Sequence, residues 1–237
     1  FTTRPTVDSD YSINDYSNHQ EAIEKLVTDI INQNHENNEL KIEIKNIGTI
    51  GETNKYQRFR INLIGTLGKT RTPFSIDFGV GDTVVPKPLN RTLPVLLEDF
   101  EKPTISTYSL QSIISEKLDA IIRFMELTGR MKDFFDIYYL ATTFEFKGCV
   151  LQEAINATFR RRNTPYENDS LRAIERLVSN ADINRRWQNF CKKVLNDDLS
   201  LKEVIKVIMA ILEPPFQSML RHKEMNGTWK PDLRRYE

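Results

Sequence analysis

Cysteine, histidine, net charge and long apolar runs are all scarce in this chain, and each scarcity removes a class of function. Its 237 residues include two cysteines, Cys149 and Cys191, too few for a disulfide framework and suited to a reducing, cytoplasmic setting. The three histidines, His19, His35 and His222, are scattered and give no zinc-ligand spacing. Basic and acidic residues number 33 each, so whole-molecule charge argues for neither nucleic acid nor membrane, and any such partner must be argued from local clusters. The longest apolar run, Val204 to Leu212, is interrupted by Lys206 and expected to stop at Pro214-Pro215, short of the ~20 residues of a membrane span. No apolar signal core stands at the N-terminus, which begins on Phe1-Thr2-Thr3-Arg4 without Met, so further residues are expected upstream. Apolar (39%) and charged (28%) contents are ordinary for a globular protein and exclude disordered, collagen-like and coiled-coil classes.

What is present falls into two grammars. Ala22, Ile23, Leu26, Val27, Ile30 and Ile31 recur at helical spacing after a Ser17 or Asn18 cap. The period then becomes two: Leu40, Ile42, Ile44; Phe59, Ile61, Leu63; Phe74, Ile76, Phe78. Three half-buried strands follow from this, with shorter ones around 93–97 and 104–108. Beyond Tyr108 the period returns to helical, with Ser109 as cap and a stripe from Leu110 through Ile114, Leu118 and Ile121 to Met125. Further helices are expected near 133–144, 149–160, 170–179, 182–196 and 200–212, and no further strand. The fold class is thus α+β: a mixed-sheet N-terminal core over 1–108, then a C-terminal helical bundle over 109–237.

Several acids and bases stand out. Asp8 and Asp10 are two apart, and in an extended segment their carboxylates project to one side. Such a pair calls for a hard divalent cation, although Asp and Ser are equally at home in a turn before a helix. On the strand of Phe74, Ile76 and Phe78, Asp77 takes the opposite face. It is either a third carboxylate of a two-metal phosphoryl-transfer site or a solvent-facing acid, while Asp82 in Gly81-Asp82 serves a turn. Lys117 lies inside the apolar stripe of its helix, where it either snorkels to the edge or meets phosphates. The following segment is apolar nearly all round yet carries Asp133 and Asp136, and a Lys117–Asp136 pair across the two helices would satisfy both. From Arg160 to Lys193 bases outnumber acids, either as a phosphate-backbone surface or as a solvated helix face.

These residues carry a family resemblance. Glu116-Lys117-Leu118, Arg123 and Arg130-Met131-Lys132-Asp133-Phe134-Phe135-Asp136 resemble the fourth motif of the AbiEii/AbiGii nucleotidyltransferase toxins: Lys-Leu, a later Arg, then Arg-Asp-x-x-Asp-Leu. Arg4-Pro5-Thr6-Val7-Asp8-Ser9-Asp10 resembles that family's Asp-x-Asp metal motif, and Ser75-Ile76-Asp77 its third carboxylate. Three motifs in order over the first 140 residues make the likeness specific.

The resemblance implies a polymerase-beta-like nucleotidyltransferase core whose active site the helical domain completes, acting as the toxin of an antitoxin-paired phage-defence system. Asp8, Asp10 and Asp77 would hold Mg2+, Lys117 would contact the NTP, and Asp136 would orient Lys117 or act at the site. Arg123, Arg130 and Lys132 would be further phosphate contacts. The acceptor would be RNA, foremost the tRNA acceptor end, with a cognate antitoxin as protein partner and no membrane. There are two departures. The family's Gly-Ser stretch would fall at or before Phe1 and is expected upstream in the full protein; a chain truly without it should be poorly active. Lys132 replaces the usual Arg, keeping charge but losing the bidentate fork. The rival expectations are a degenerate fold that binds nucleotide or antitoxin without chemistry, and a metal-dependent nuclease.

Overall fold

The computed structural model describes residues 9–13, 16–17, 19–33, 39–50, 58–80, 84–95, 98–167 and 169–237. Its contacts divide the chain into two compact units, Pro5–Asp82 and Thr83–Glu237. The boundary expected at 108 falls inside the second.

In the first unit the strands β1 (Ser9–Ile13), β2 (Leu40–Ile50), β3 (Arg58–Leu67) and β4 (Thr70–Val80) form one mixed sheet in the order β1-β4-β3-β2. The three strands read from alternation are β2, β3 and β4, and β1 joins them parallel to β4. The apolar sides of β3 and β4 face together, Phe59 opposite Phe78 and Ile61 opposite Ile76. Helix α1 (Gln20–Gln33) supplies Ile23 and Val27 to the same cluster. Full burial of each such side chain stabilises by roughly 1.5–3 kcal/mol, which commits one sheet face to the core and leaves the other for polar side chains.

The second unit opens with the hairpin of β5 (Leu89–Thr92) and β6 (Thr104–Thr107), followed by α2 (Leu110–Phe124), α3 (Met131–Thr143), α4 (Gly148–Arg162), α5 (Ser170–Arg176), α6 (Ala181–Phe190) and α7 (Leu201–Leu220). Ser109 caps α2 by accepting from Ser112 N, Asn180 caps α6 through Ile183 N, and Ser200 caps α7 through Glu203 N. Leu118, Phe134, Ile155, Ile174, Trp187, Ile208 and Phe216 belong to one buried cluster to which all six of these helices contribute.

Three expectations are corrected here. The shorter early strand lies at Leu89–Thr92, upstream of 93–97. Strand structure does return, as the small sheet β7 (Phe146–Lys147), β8 (Thr228–Lys230), β9 (Arg235–Tyr236); strands this short carry no readable alternation. And α7 does not stop at Pro214-Pro215 but runs on to Leu220. Pro215 has no N–H to give the carbonyl four residues back, that of Ile211, and the Tyr236 hydroxyl donates to that oxygen at 2.7 Å instead. Buried Phe216 and Met219 beyond the prolines anchor the extra turn. Among the described residues no helix is long and apolar enough to cross a membrane.

Candidate functional site

On the sheet face opposite α1's apolar cluster, three strands place charged residues in one row. Asp10 of β1 is the register partner of Asp77 of β4, and Asp77 is the register partner of Arg60 of β3. Strand alternation puts all three on the face that Phe59, Ile76 and Phe78 leave free. Asp77 is buried, 8% exposed, and Arg60 grips both of its oxygens, Nε to Oδ1 at 2.8 Å and Nη2 to Oδ2 at 2.7 Å. Asp10 is exposed. Ser12, two residues along β1 on the same face, has a buried Oγ with no hydrogen-bond partner among the described residues. Asp8 lies outside the described residues.

Arg60 was not singled out by sequence reasoning, though a signal exists. Leu67 and Thr70 are paired across the two-residue Gly68-Lys69 turn, and Gly68 has φ +57°, which suits glycine at the first central position of a II′ hairpin. A tight hairpin fixes register, and counting back from Leu67 and Thr70 brings Arg60 opposite Asp77.

The second charged group is built on α2 and α3 within the helical unit. Lys117 Nζ lies 2.7 Å from Asp136 Oδ2, the pairing expected across the two helices, and 3.4 Å from Asp133 Oδ1. Asp133 is fully buried and also receives Arg130 Nε at 2.6 Å. Its place in the first turn of α3 adds a favourable interaction with the positive end of the helix dipole. An ammonium has three donors; among the described residues two carboxylates engage Lys117, which is 18% exposed, and these leave one N–H for a further acceptor. Lys132 is half-buried and has no ion pair among the described residues.

Arg123 sits on another part of α2. It is 3.9 Å from buried Asp119, which Arg162 Nη1 approaches at 2.9 Å and the Thr164 hydroxyl also contacts. Arg162 reaches Glu116 as well, at 3.0 Å. Of the basic run, therefore, Arg162 is a structural tie between α4 and α2, and Arg186 donates to the Thr128 carbonyl. Arg160, Arg176, Lys192 and Lys193 remain exposed.

Among the described residues no group of three or more histidines, cysteines or acids could by itself hold a metal. The donor chemistry on the sheet nonetheless fits a hard divalent cation. Two carboxylates occupy paired positions on parallel neighbours, and an unpartnered hydroxyl shares their face.

The family model "Nucleotidyl transferase AbiEii toxin, Type IV TA system" matches residues 1–222. Two solved Helicobacter pylori structures are similar. JHP933 is 14% identical with TM-score 0.45, covering 93% of this chain and 79% of its own. A presumed nucleotidyltransferase is 13% identical with TM-score 0.46, covering 93% and 82%. No curated protein matches significantly.

Proposed function

This chain belongs to the AbiEii nucleotidyl transferase toxin family of type IV toxin–antitoxin systems, and we propose that it transfers a nucleoside monophosphate from an NTP to an RNA hydroxyl, foremost at the acceptor end of tRNA. It is an enzyme, a nucleotidyltransferase, and its family brings an NTP substrate and an antitoxin partner. The finer reading is a cytoplasmic toxin of abortive phage infection that uses Mg2+ held by Asp8, Asp10 and Asp77. The observation that carries it is the Asp10–Asp77 register pair, which sets two carboxylates side by side on an otherwise uncommitted sheet face.

A divalent cation bound there supplies electrostatic stabilisation of the phosphoryl charge and acidifies the acceptor hydroxyl. The rest falls to the chain's own groups. Arg60 fixes the plane of the Asp77 carboxylate. Lys117, braced by Asp136 and Asp133, presents its remaining N–H to the triphosphate, and Arg123, Arg130 and Lys132 add phosphate contacts. The acceptor oxygen bonds to the α-phosphorus as the bond to the β-phosphate's bridging oxygen breaks; pyrophosphate departs and the hydroxyl proton passes to water. The exposed bases of the Arg160–Lys193 run seat the RNA backbone.

The test is label transfer from each α-labelled NTP to total tRNA with Mg2+, by the protein with any upstream residues included, beside the Asp8→Ala/Asp10→Ala variant. Label on RNA that the variant abolishes supports the reading. Shortened RNA would make the protein a nuclease. A second reading, nucleotide or antitoxin binding without chemistry, draws on the Arg60 fork that engages both Asp77 oxygens. It would be right if NTP binds and no pyrophosphate appears.

A further inference from the structure

One row along the sheet from Asp77, on the same face, Ser75, Asn62 and Asn46 stand in register across β4, β3 and β2. With Lys45 and Pro73 they line a cavity of about 430 Å³, within the ~300–1,000 Å³ range of small-ligand sites. We infer that this cavity is the subsite for the acceptor's terminal nucleotide, its base on the two asparagines and its ribose toward Asp77. This rests on the transferase reading above and adds where the acceptor is held.

Three observations support it. The first is hydrogen-bond pattern. Asn62 Nδ2 donates to Asn46 Oδ1 at 2.6 Å. That bond leaves Asn46 with both amide donors and Asn62 with both carbonyl lone pairs, a donor and an acceptor side by side. Nucleobases present the complementary edge, and single-stranded RNA is read through such edges once its bases are unstacked. The second is spacing. Asn62 pairs with Ser75 and so is the diagonal cross-strand neighbour of Asp77, roughly 7–8 Å away, a distance covered by the step from a base edge to its own ribose hydroxyl.

The third is charge, which separates the two nucleotides of the reaction. Among the described residues Lys45 is the one cation of the lining, and the neighbouring Arg60 fork is engaged by Asp77. One ammonium suits a single phosphodiester and falls short of a triphosphate. The acceptor nucleotide therefore matches this cavity better than the incoming NTP does.

The experiment measures KM separately for the acceptor and the NTP, with a mixed-sequence single-stranded RNA oligonucleotide bearing a free 3′-hydroxyl. Its Kd is measured in parallel by fluorescence anisotropy. In Asn46→Ala/Asn62→Ala the acceptor KM and Kd should rise about tenfold, equivalent to about 1.4 kcal/mol, with the NTP KM unchanged. Asn46→Ala alone, on an exposed edge-strand position, should show part of the effect and guards against misfolding of the double variant. Lys45→Gln should reduce the salt dependence of RNA binding. RNA elongation with an unchanged acceptor KM overturns the subsite and leaves the transferase reading intact. A rise in NTP KM alone assigns the cavity to the incoming nucleotide and overturns the acceptor assignment. If the wild-type protein labels no RNA, the transferase reading fails, and unchanged anisotropy in the variants then overturns the subsite as well.

Discussion

Arg60 holds Asp77 at both carboxylate oxygens across neighbouring strands, with the aspartate buried and the arginine side chain 43% exposed. Arg60 thus competes with a cation for the same oxygens while fixing the plane in which they lie. Removing it in Arg60→Met should tighten divalent-ion binding and lower kcat together, because competition and orientation are lost at once. Mn2+ titration by electron paramagnetic resonance, beside single-turnover rates, reads both, and looser ion binding would contradict the competition. Arg60→Lys, which keeps charge without the fork, should restore part of the stability and little of the rate. The stability loss in Arg60→Met should be about 1–2 kcal/mol by urea denaturation, below that of a fully buried pair since water screens the exposed side of the arginine.

Lys117 separates a structural from a chemical role. Lys117→Met removes the ammonium that bridges Asp136 and buried Asp133 and leaves Asp133 its contact with Arg130, and should cost about 2–3 kcal/mol in thermal or urea melts. Adding Asp136→Asn removes one of the two negative charges that Lys117 had faced and should recover part of that loss. NTP KM should rise in both variants alike, because the phosphate-facing ammonium is absent from both. Recovery of NTP affinity along with stability would reduce Lys117 to a packing residue.

The two cysteines should differ in reactivity. Burial pushes the Cys191 thiol up from its usual range, while the Leu199 carbonyl lies 3.5 Å from its sulfur. Cys149 is only half-buried. Maleimide at neutral pH should therefore label Cys149 in the folded protein and Cys191 only after denaturant, as read by intact mass with Cys149→Ser for comparison.

Alkaline pH should weaken the helical unit through Tyr236. Burial raises its hydroxyl above the ordinary value of 10.0. The folded state therefore keeps the proton that the unfolded chain releases, and the stabilisation is complete below pH 10 and lost as pH rises beyond it. Tyr236→Phe should cost about 1–2 kcal/mol at neutral pH, since it leaves the Ile211 carbonyl of α7 unpaired beside Pro215. Its urea midpoint should decline less between about pH 8 and about pH 10.5 than that of the wild type. Parallel declines would remove Tyr236 from the alkaline response.

Much of this was legible in the sequence where one rule acts alone. Alternation of Phe74, Ile76 and Phe78 was enough to put Asp77 on the opposite face, and a lysine within the apolar stripe of α2 was enough to demand an acid from α3. What stayed hidden depends on pairings between distant segments. Arg60 looks like an ordinary polar-face residue until the hairpin register is counted. Asp119 gives no hint that Arg162 and Thr164, far along the chain, will enclose it. The stop expected at Pro214-Pro215 was wrong because a tyrosine at the far C-terminus replaces the missing donor, a tertiary rescue that local propensity does not contain.

The parallel union of β1 with β4 also fixes an order of events. Strands β3 and β4 can pair through a two-residue turn, a fast local step, whereas β1 can add only after the intervening chain has folded back, a long-range closure. The hairpin can therefore stand complete, with Asp77 already clasped by Arg60, while Asp10 is still absent from its side. As a five-residue edge strand, β1 is also the natural first piece to detach during local opening. A newly made chain thus lacks the Asp10–Asp77 pair until its edge strand seats, and peeling back that single edge would part the two carboxylates in a fully folded one.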